Sequence, residues 1–151
     1  MNILAAVDFS PVTDAVLATL ARIGAMTAVK VYLVHVAPPD PDFVGFEAGP
    51  AVVRGQVAAE LRTQHQQLQG LADRLRDGGV EATALMLQGP TVETLIAEAA
   101  KLEAGLIVLG SHGRSAFRDL LVGSVAEGVV RRSTVPVLLV PARQPAQVSG
   151  T

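Results

Sequence analysis

The chain has no cysteine and no tryptophan, and aromatic residues make up only 3% of its 151 positions. Without thiols there can be no disulfides and no thiolate metal sites, which fits a reducing compartment. With so few rings, a core has to be assembled from Val, Leu, Ile and Ala, the composition of sheets covered by helices on both faces. Charged residues account for 17% of the chain, with a formal net charge of −2 and a pI near 5.9. That balance excludes a protein that tracks nucleic-acid phosphates over a broad basic face, while leaving room for a small basic pocket. No apolar run approaches the roughly 20 residues that span a bilayer. The amino terminus, Met1-Asn-Ile-Leu-Ala-Ala-Val-Asp8, carries no basic leader and ends its apolar run at an acid, so neither a signal peptide nor an anchor is expected there. These absences predict a soluble cytoplasmic protein with no nucleic-acid partner and no membrane insertion.

A chain of this length fits one domain that buries about 68–70% of its unfolded surface, expected over residues 1–141 with a frayed polar tail at 142–151. Short apolar runs alternate with helical stripes. Ile3 to Val7 reads as a buried strand, and Ser10-Pro11 then predicts an N-cap with proline in the first helical position. Val12, Val16, Leu20 and Ile23 repeat at helical spacing before Gly24. Lys30 to Val36 predicts a second strand, and the proline- and glycine-containing segment 38–50 a long surface loop. From Val53 the stripe Val57, Leu61, Leu68, Leu71, Leu75 predicts a second helix ending at Asp77-Gly-Gly79. Val80 to Leu87 follows as a third strand, and Gly89-Pro90 opens a third helix with Val92, Leu95, Ile96 and Ala99 inward. Leu106 to Leu109 is the fourth strand. Ser124-Val-Ala-Glu127 has the spacing of a capping box and predicts a helix to about Ser133. Val135 to Val140, with proline near each end, predicts a last strand at a sheet edge. The βαβαβαβαβ order implies an α/β fold with a parallel sheet, helices on both faces, and ligands beyond the carboxyl ends of the strands. Asp8, Val36 and Gly110 all lie at such ends.

The connection after the fourth strand is built on glycine: Gly110, two residues, Gly113, nine residues, then Gly123-Ser124. Glycines let backbone N–H groups approach phosphate oxygens, and the helix near Ser124 adds free donors and a favourable dipole. The Ser124 hydroxyl is a candidate both for a phosphate contact and for a helix cap. At this spacing the chain resembles the universal stress protein family, in its ATP-binding branch with the signature G-x2-G-x9-G-[ST]. The likeness covers essentially the whole chain, through Val7-Asp-Phe-Ser10, Leu33-Val-His-Val36, Leu106-Ile-Val-Leu-Gly-Ser-His-Gly-Arg114 and Val135-Pro-Val-Leu-Leu-Val140.

The resemblance implies a five-stranded Rossmann-like sheet of order 3-2-1-4-5 and an ATP site across strands one, two and four. It also implies a homodimer through the last strand, Val135 to Val140, where an exposed apolar edge would otherwise invite aggregation. Carried over by position, Asp8 and Val36 hold the ribose and adenine end, and Gly110 lies near the ribose and α-phosphate. Gly113, Gly123 and Ser124 line the phosphates, and Val125 offers a backbone amide. A carboxylate at Asp8 suits the sugar, since a triphosphate would repel it. Arg114 and Arg118 are the nearby cations. Mg²⁺ is expected to arrive with the nucleotide, because His35, His65 and His112 form no metal-ligand spacing.

The function these features predict is an ATP-binding regulatory module of the stress response, acting on an unidentified protein partner. The alternative is a weak ATPase or adenine-nucleotide-processing enzyme of the same fold. Against the enzyme, there is no G-x4-G-K-[ST] motif and lysine occurs only as Lys30 and Lys101. His112 has no oriented acid partner that would make it a general base. A phospho-accepting receiver domain would want an acid after strand three, where this chain reads Leu87-Gln88-Gly89.

Overall fold

Every short β-branched run of the chain finds a neighbour in one parallel sheet. The computed structural model describes residues 1–39, 50–111 and 122–142. The elements are β1 (Asn2–Ala6), α1 (Thr13–Met26), β2 (Lys30–Ala37), α2 (Pro50–Asp77), β3 (Glu81–Gln88), α3 (Thr91–Lys101), β4 (Ala104–Gly110), α4 (Ser124–Arg132) and β5 (Val137–Val140). The strand order is β3-β2-β1-β4-β5, the order the resemblance implies, and all pairings are parallel, as the alternation of strands and helices predicts. The sheet register pairs Ile3 with Val31 on one side and with Leu106 on the other.

Because strand side chains alternate between faces, each strand feeds two cores. Ile3, Ala5, Val31, Leu33 and Val108 face α1 and α2, packing on Val16, Leu20, Leu68, Ala72 and Leu75. Leu4, Val34, Ile107 and Leu109 face α3 and α4, packing on Leu95, Ala99, Ala126 and Val129. Each fully buried Val, Leu or Ile contributes about 1.5–3 kcal/mol relative to exposure. Ion pairs join helices within a layer: Arg74 Nη1 to Asp14 Oδ1 at 3.1 Å and Arg132 Nη1 to Glu93 Oε1 at 2.8 Å. The Glu93 carboxyl is held below its ordinary value by a hydrogen bond from its own backbone amide and by Arg132.

Several expected boundaries move, each for a local reason. α1 starts at Thr13 with Val12 as N-cap and no side-chain cap, so Ser10-Pro11 does not play the predicted capping role. Thr13 N–H instead donates to Ser10 C=O at 3.0 Å, and the Ser10 side chain turns inward to 5% exposure. α1 also runs through Gly24 to Met26. A Cβ at Gly24 would meet Val80 Cγ2 at 2.6 Å, so this glycine permits close packing and is not a stop. The capping box at Ser124 does not form: Gly123 is the N-cap, without a side-chain hydrogen bond, and Ser124 is the first helical residue. Glu127 pairs with Arg131 at 2.9 Å instead of reaching back. β5 begins at Val137, two residues later than expected, because Val135 N–H is taken by Ser133 Oγ at 3.1 Å. Pro136 still contributes to the sheet through its carbonyl, which accepts Ile107 N–H at 3.0 Å. α2 begins at Pro50 where Val53 was expected. Most of the expected 38–50 loop and nearly all of the 142–151 tail lie outside the described residues.

Candidate functional site

The strand order reverses between β1 and β4, which are neighbours in the sheet but send their chains to opposite faces. The helices that follow them, α1 and α4, cover opposite faces, and at such a point open α/β sheets bind ligands in the crevice beyond the carboxyl ends. Asp8 stands past the end of β1, Val36 near the end of β2 and Gly110 at the end of β4. Gly123, Ser124 and Val125 form the start of α4. The structure thus brings six of the expected residues to one end of the sheet. Gly113 and Arg114, with His112 and Arg118, lie outside the described residues.

The two ends of the glycine connection are tied together: Gly123 N–H donates to Ser111 C=O at 2.6 Å, and Ser111 N–H donates to Val140 C=O at 2.9 Å. The first intrahelical bond at this end of α4 runs from Glu127 N–H to Gly123 C=O at 2.9 Å. The amides of Ser124, Val125 and Ala126 precede it and belong to the turn that an α-helix cannot satisfy internally. With a glycine as N-cap, the cap residue itself offers them no side-chain hydrogen bond. They carry the positive end of the helix dipole and suit an anion.

Gly110 has a second role that its spacing alone did not show. A Cβ there would lie 2.4 Å from Val12 Cγ1 and 3.0 Å from Val12 Cγ2. Only glycine lets the β1–α1 turn close down on β4 at this contact. The Asp8 carboxylate is half-buried, and its Oδ1 accepts the Ser10 N–H at 3.0 Å. The second oxygen remains as an acceptor of the kind a sugar hydroxyl needs. Behind it, Ser10 Oγ and Thr13 Oγ1 are buried without a hydrogen-bond partner, an arrangement that costs about 1–3 kcal/mol per group.

The sequence reading missed two contributors. His35, taken only as a scattered histidine, is 9% exposed and holds Val7 C=O through Nδ1 at 2.8 Å. Phe9 has φ 60 and lays its ring 4.6 Å from the His35 ring, centroid to centroid. Strand alternation from Val31 and Leu33 was the available signal, because it puts His35 on the buried face beneath the β1–α1 turn. A separate cavity of about 270 Å³ opens between α2 and the end of β3, lined by Leu61, Arg62, His65, Met86, Leu87 and Gln88. It belongs to the far edge of the sheet and not to the β1/β4 crevice. Among the described residues no group of three or more His, Asp or Glu is placed to hold a metal ion, and no helix is long and apolar enough to cross a membrane.

A family model described as the universal stress protein family matches residues 1–141. A universal stress protein of Methanocaldococcus jannaschii is 33% identical over 113 residues, covering 74% of this chain and 64% of its own length. Among solved structures, a universal stress protein from Lactobacillus plantarum superposes with a TM-score of 0.80 at 20% identity, over 93% of this chain and 97% of that one. A universal stress protein from Archaeoglobus fulgidus, solved in complex with dAMP, gives 0.63 at 24% identity over 93% and 97%. A further universal stress protein structure, in complex with cAMP, gives 0.64 at 24% identity over 95% of this chain and 98% of that one.

Proposed function

From the premise that the chain belongs to the universal stress protein family, we propose that it is a nucleotide-dependent regulatory module that binds ATP in the β1/β4 crevice. The observation that carries the reading is the uncapped start of α4, pinned by the Gly123–Ser111 hydrogen bond to the end of β4. The relatives solved with dAMP and cAMP support an adenine nucleotide as the ligand class. In this reading the backbone amides of Ser124 and Val125 take phosphate oxygens, with Gly113, Gly123 and the Ser124 hydroxyl lining the tail and Arg114 offsetting its charge. Asp8 accepts from the ribose hydroxyls, and the backbone at Val36 borders the base. Mg²⁺ would be held by the phosphates themselves.

Binding becomes regulation only if ATP prefers one conformation, since equal affinity for two states shifts nothing. The edges of the crevice are the natural place for that preference, and a protein partner would read the result. The same reading includes a homodimer through β5, an edge strand that carries the exposed Leu138, with Val130 exposed on α4. Titration calorimetry with Mg-ATP, together with mass spectrometry of nucleotide carried through purification, tests the proposal. Saturable binding that is lost in Gly123→Val supports it. No heat, and no nucleotide in the purified protein, overturns it.

A further inference from the structure

The residue that aims Asp8 is one that does not touch it. The β1–β2 ladder ends with Val7 N–H donating to Val34 C=O at 2.9 Å. The carbonyl of the same residue takes its hydrogen bond from the side chain of His35, Nδ1 to O at 2.8 Å. A carbonyl only accepts, so Nδ1 carries the proton and the neutral ring is the Nδ1–H tautomer. On the other side of Asp8, Phe9 sits at φ 60, a left-handed conformation that costs a non-glycine residue roughly 1–2 kcal/mol. It persists only where its surroundings hold it, and its ring rests against the same imidazole, 4.6 Å between centroids at 42°. His35 therefore holds Val7 and Phe9, the neighbours of Asp8 on both sides. Between those two anchors the carboxylate has one internal partner, the Ser10 N–H at 3.0 Å.

We propose that His35 is a positioning residue: it fixes the β1–α1 turn so that the Asp8 carboxylate is presented to the hydroxyls of a ribose. It thereby sets the preference of the site for ribose-bearing nucleotides over those without sugar hydroxyls. This inference rests on the adenine-nucleotide reading above. The chemistry requires no charge on the ring, only its N–H donor and its flat face. Loss of the donor frees Val7 C=O, and loss of the face removes the support of Phe9. Either change lets the turn relax towards a right-handed φ and swings the carboxylate away.

The test compares Mg-ATP with Mg-2′,3′-dideoxy-ATP on wild type, His35→Leu and His35→Asn. Wild type is expected to prefer ATP by about 10-fold or more, the scale of hydrogen bonds to a charged acceptor. In His35→Leu that preference collapses towards unity because ATP binding weakens while dideoxy-ATP binding holds. His35→Asn keeps a donor near the Nδ1 position and retains part of the preference. If His35→Leu loses both ligands equally, or keeps the full preference, the positioning role is overturned. A second readout needs no nucleotide: the Ser10 amide proton, bonded to Asp8 Oδ1, should move upfield in the ¹H–¹⁵N spectrum of His35→Leu and much less in His35→Asn. An unmoved Ser10 amide sinks the inference even where nucleotide binds. If wild type binds no adenine nucleotide, the functional proposal falls, and the ribose role falls with it. The Ser10 amide then still decides whether His35 orients Asp8.

Discussion

Replacing Gly110 by alanine places a methyl carbon 2.4 Å from Val12 Cγ1, 3.0 Å from Cγ2 and 3.3 Å from Cβ. Carbon atoms settle at about 3.5–4.0 Å, so the two residues must part by about 1 Å. Val12 has little freedom to yield: it is 6% exposed and immediately precedes the first turn of α1. Overpacking of this kind costs about 1–3 kcal/mol. For a chain of this size that lowers the melting temperature by roughly 2–12 °C, at about 2–4 °C per kcal/mol. Val12→Ala alone removes buried methyl groups and is also destabilising, by about 1–3 kcal/mol. The double variant is the decisive measurement, because the clash and the cavity cancel. Urea melts of the four proteins should give a coupling of about 1–2 kcal/mol in favour of the double variant. Strict additivity, or a Gly110→Ala variant that melts like wild type, would refute the claim that this glycine exists to let the β1–α1 turn meet β4.

Other outcomes follow from the same geometry. Leu20 is fully buried between α1 and the sheet, so Leu20→Ala should lose about 2–5 kcal/mol; a loss below about 1 kcal/mol in a chemical melt would mean the α1 layer is not packed as described. Glu93 has its folded pKa depressed below 4.5 by its own backbone amide and by Arg132, so its contribution is present above that value and fades as pH falls through the folded one. Glu93→Gln should then be less stable than wild type at neutral pH and equal to it in acid, and a gap that widens in acid contradicts the assignment. Leu138 on the edge strand is 37% exposed, so Leu138→Glu should shift sedimentation towards monomer while leaving the circular dichroism spectrum intact. A wild type that sediments as a monomer at micromolar concentration removes the dimer proposal.

The fold was legible because the strands announce themselves twice, by β-branched composition and by punctuation. Ile3 to Val7, Lys30 to Val36 and Leu106 to Leu109 are each bounded by an acid, a proline or a glycine, and each lands within a residue or two of an observed strand. Helix starts were less legible, since capping residues have rival uses. Ser10 looks like a cap in isolation, yet its amide is claimed by Asp8 Oδ1 and its side chain is buried. Ser124 looks like a cap too, but the bond from Gly123 to Ser111 moves the start of α4 one residue back. At Ser124 a tertiary contact wins over the local signal, and at Ser10 burial of the side chain does; no local signal reports either. The glycines show the same limit: spacing separated Gly110 and Gly123 as a pair, but only the distance to Val12 shows that Gly110 also serves packing.

The placement of the crevice has a thermodynamic consequence. Asp8 and its turn rest on the α1/α2 core through Phe9 and Val7, whereas α4 rests on the α3 core through Ala126 and Val129. A ligand gripping both the Asp8 carboxylate and the first amides of α4 spans the two layers at the point where the strand order reverses. Any such ligand stabilises the folded chain by RT ln(1 + [L]/Kd), about 2.7 kcal/mol at 100 times Kd. That corresponds to a rise in melting temperature of roughly 5–11 °C at about 2–4 °C per kcal/mol. Because the ligand draws on both layers, removing either grip should shrink the shift, with Asp8→Ala acting through the sugar and Gly123→Val through the phosphates. A nucleoside should then lose its effect only in Asp8→Ala and inorganic triphosphate only in Gly123→Val. If one substitution abolishes both shifts and the other neither, the ligand sits in one layer alone, and the crevice is not the bridge between them.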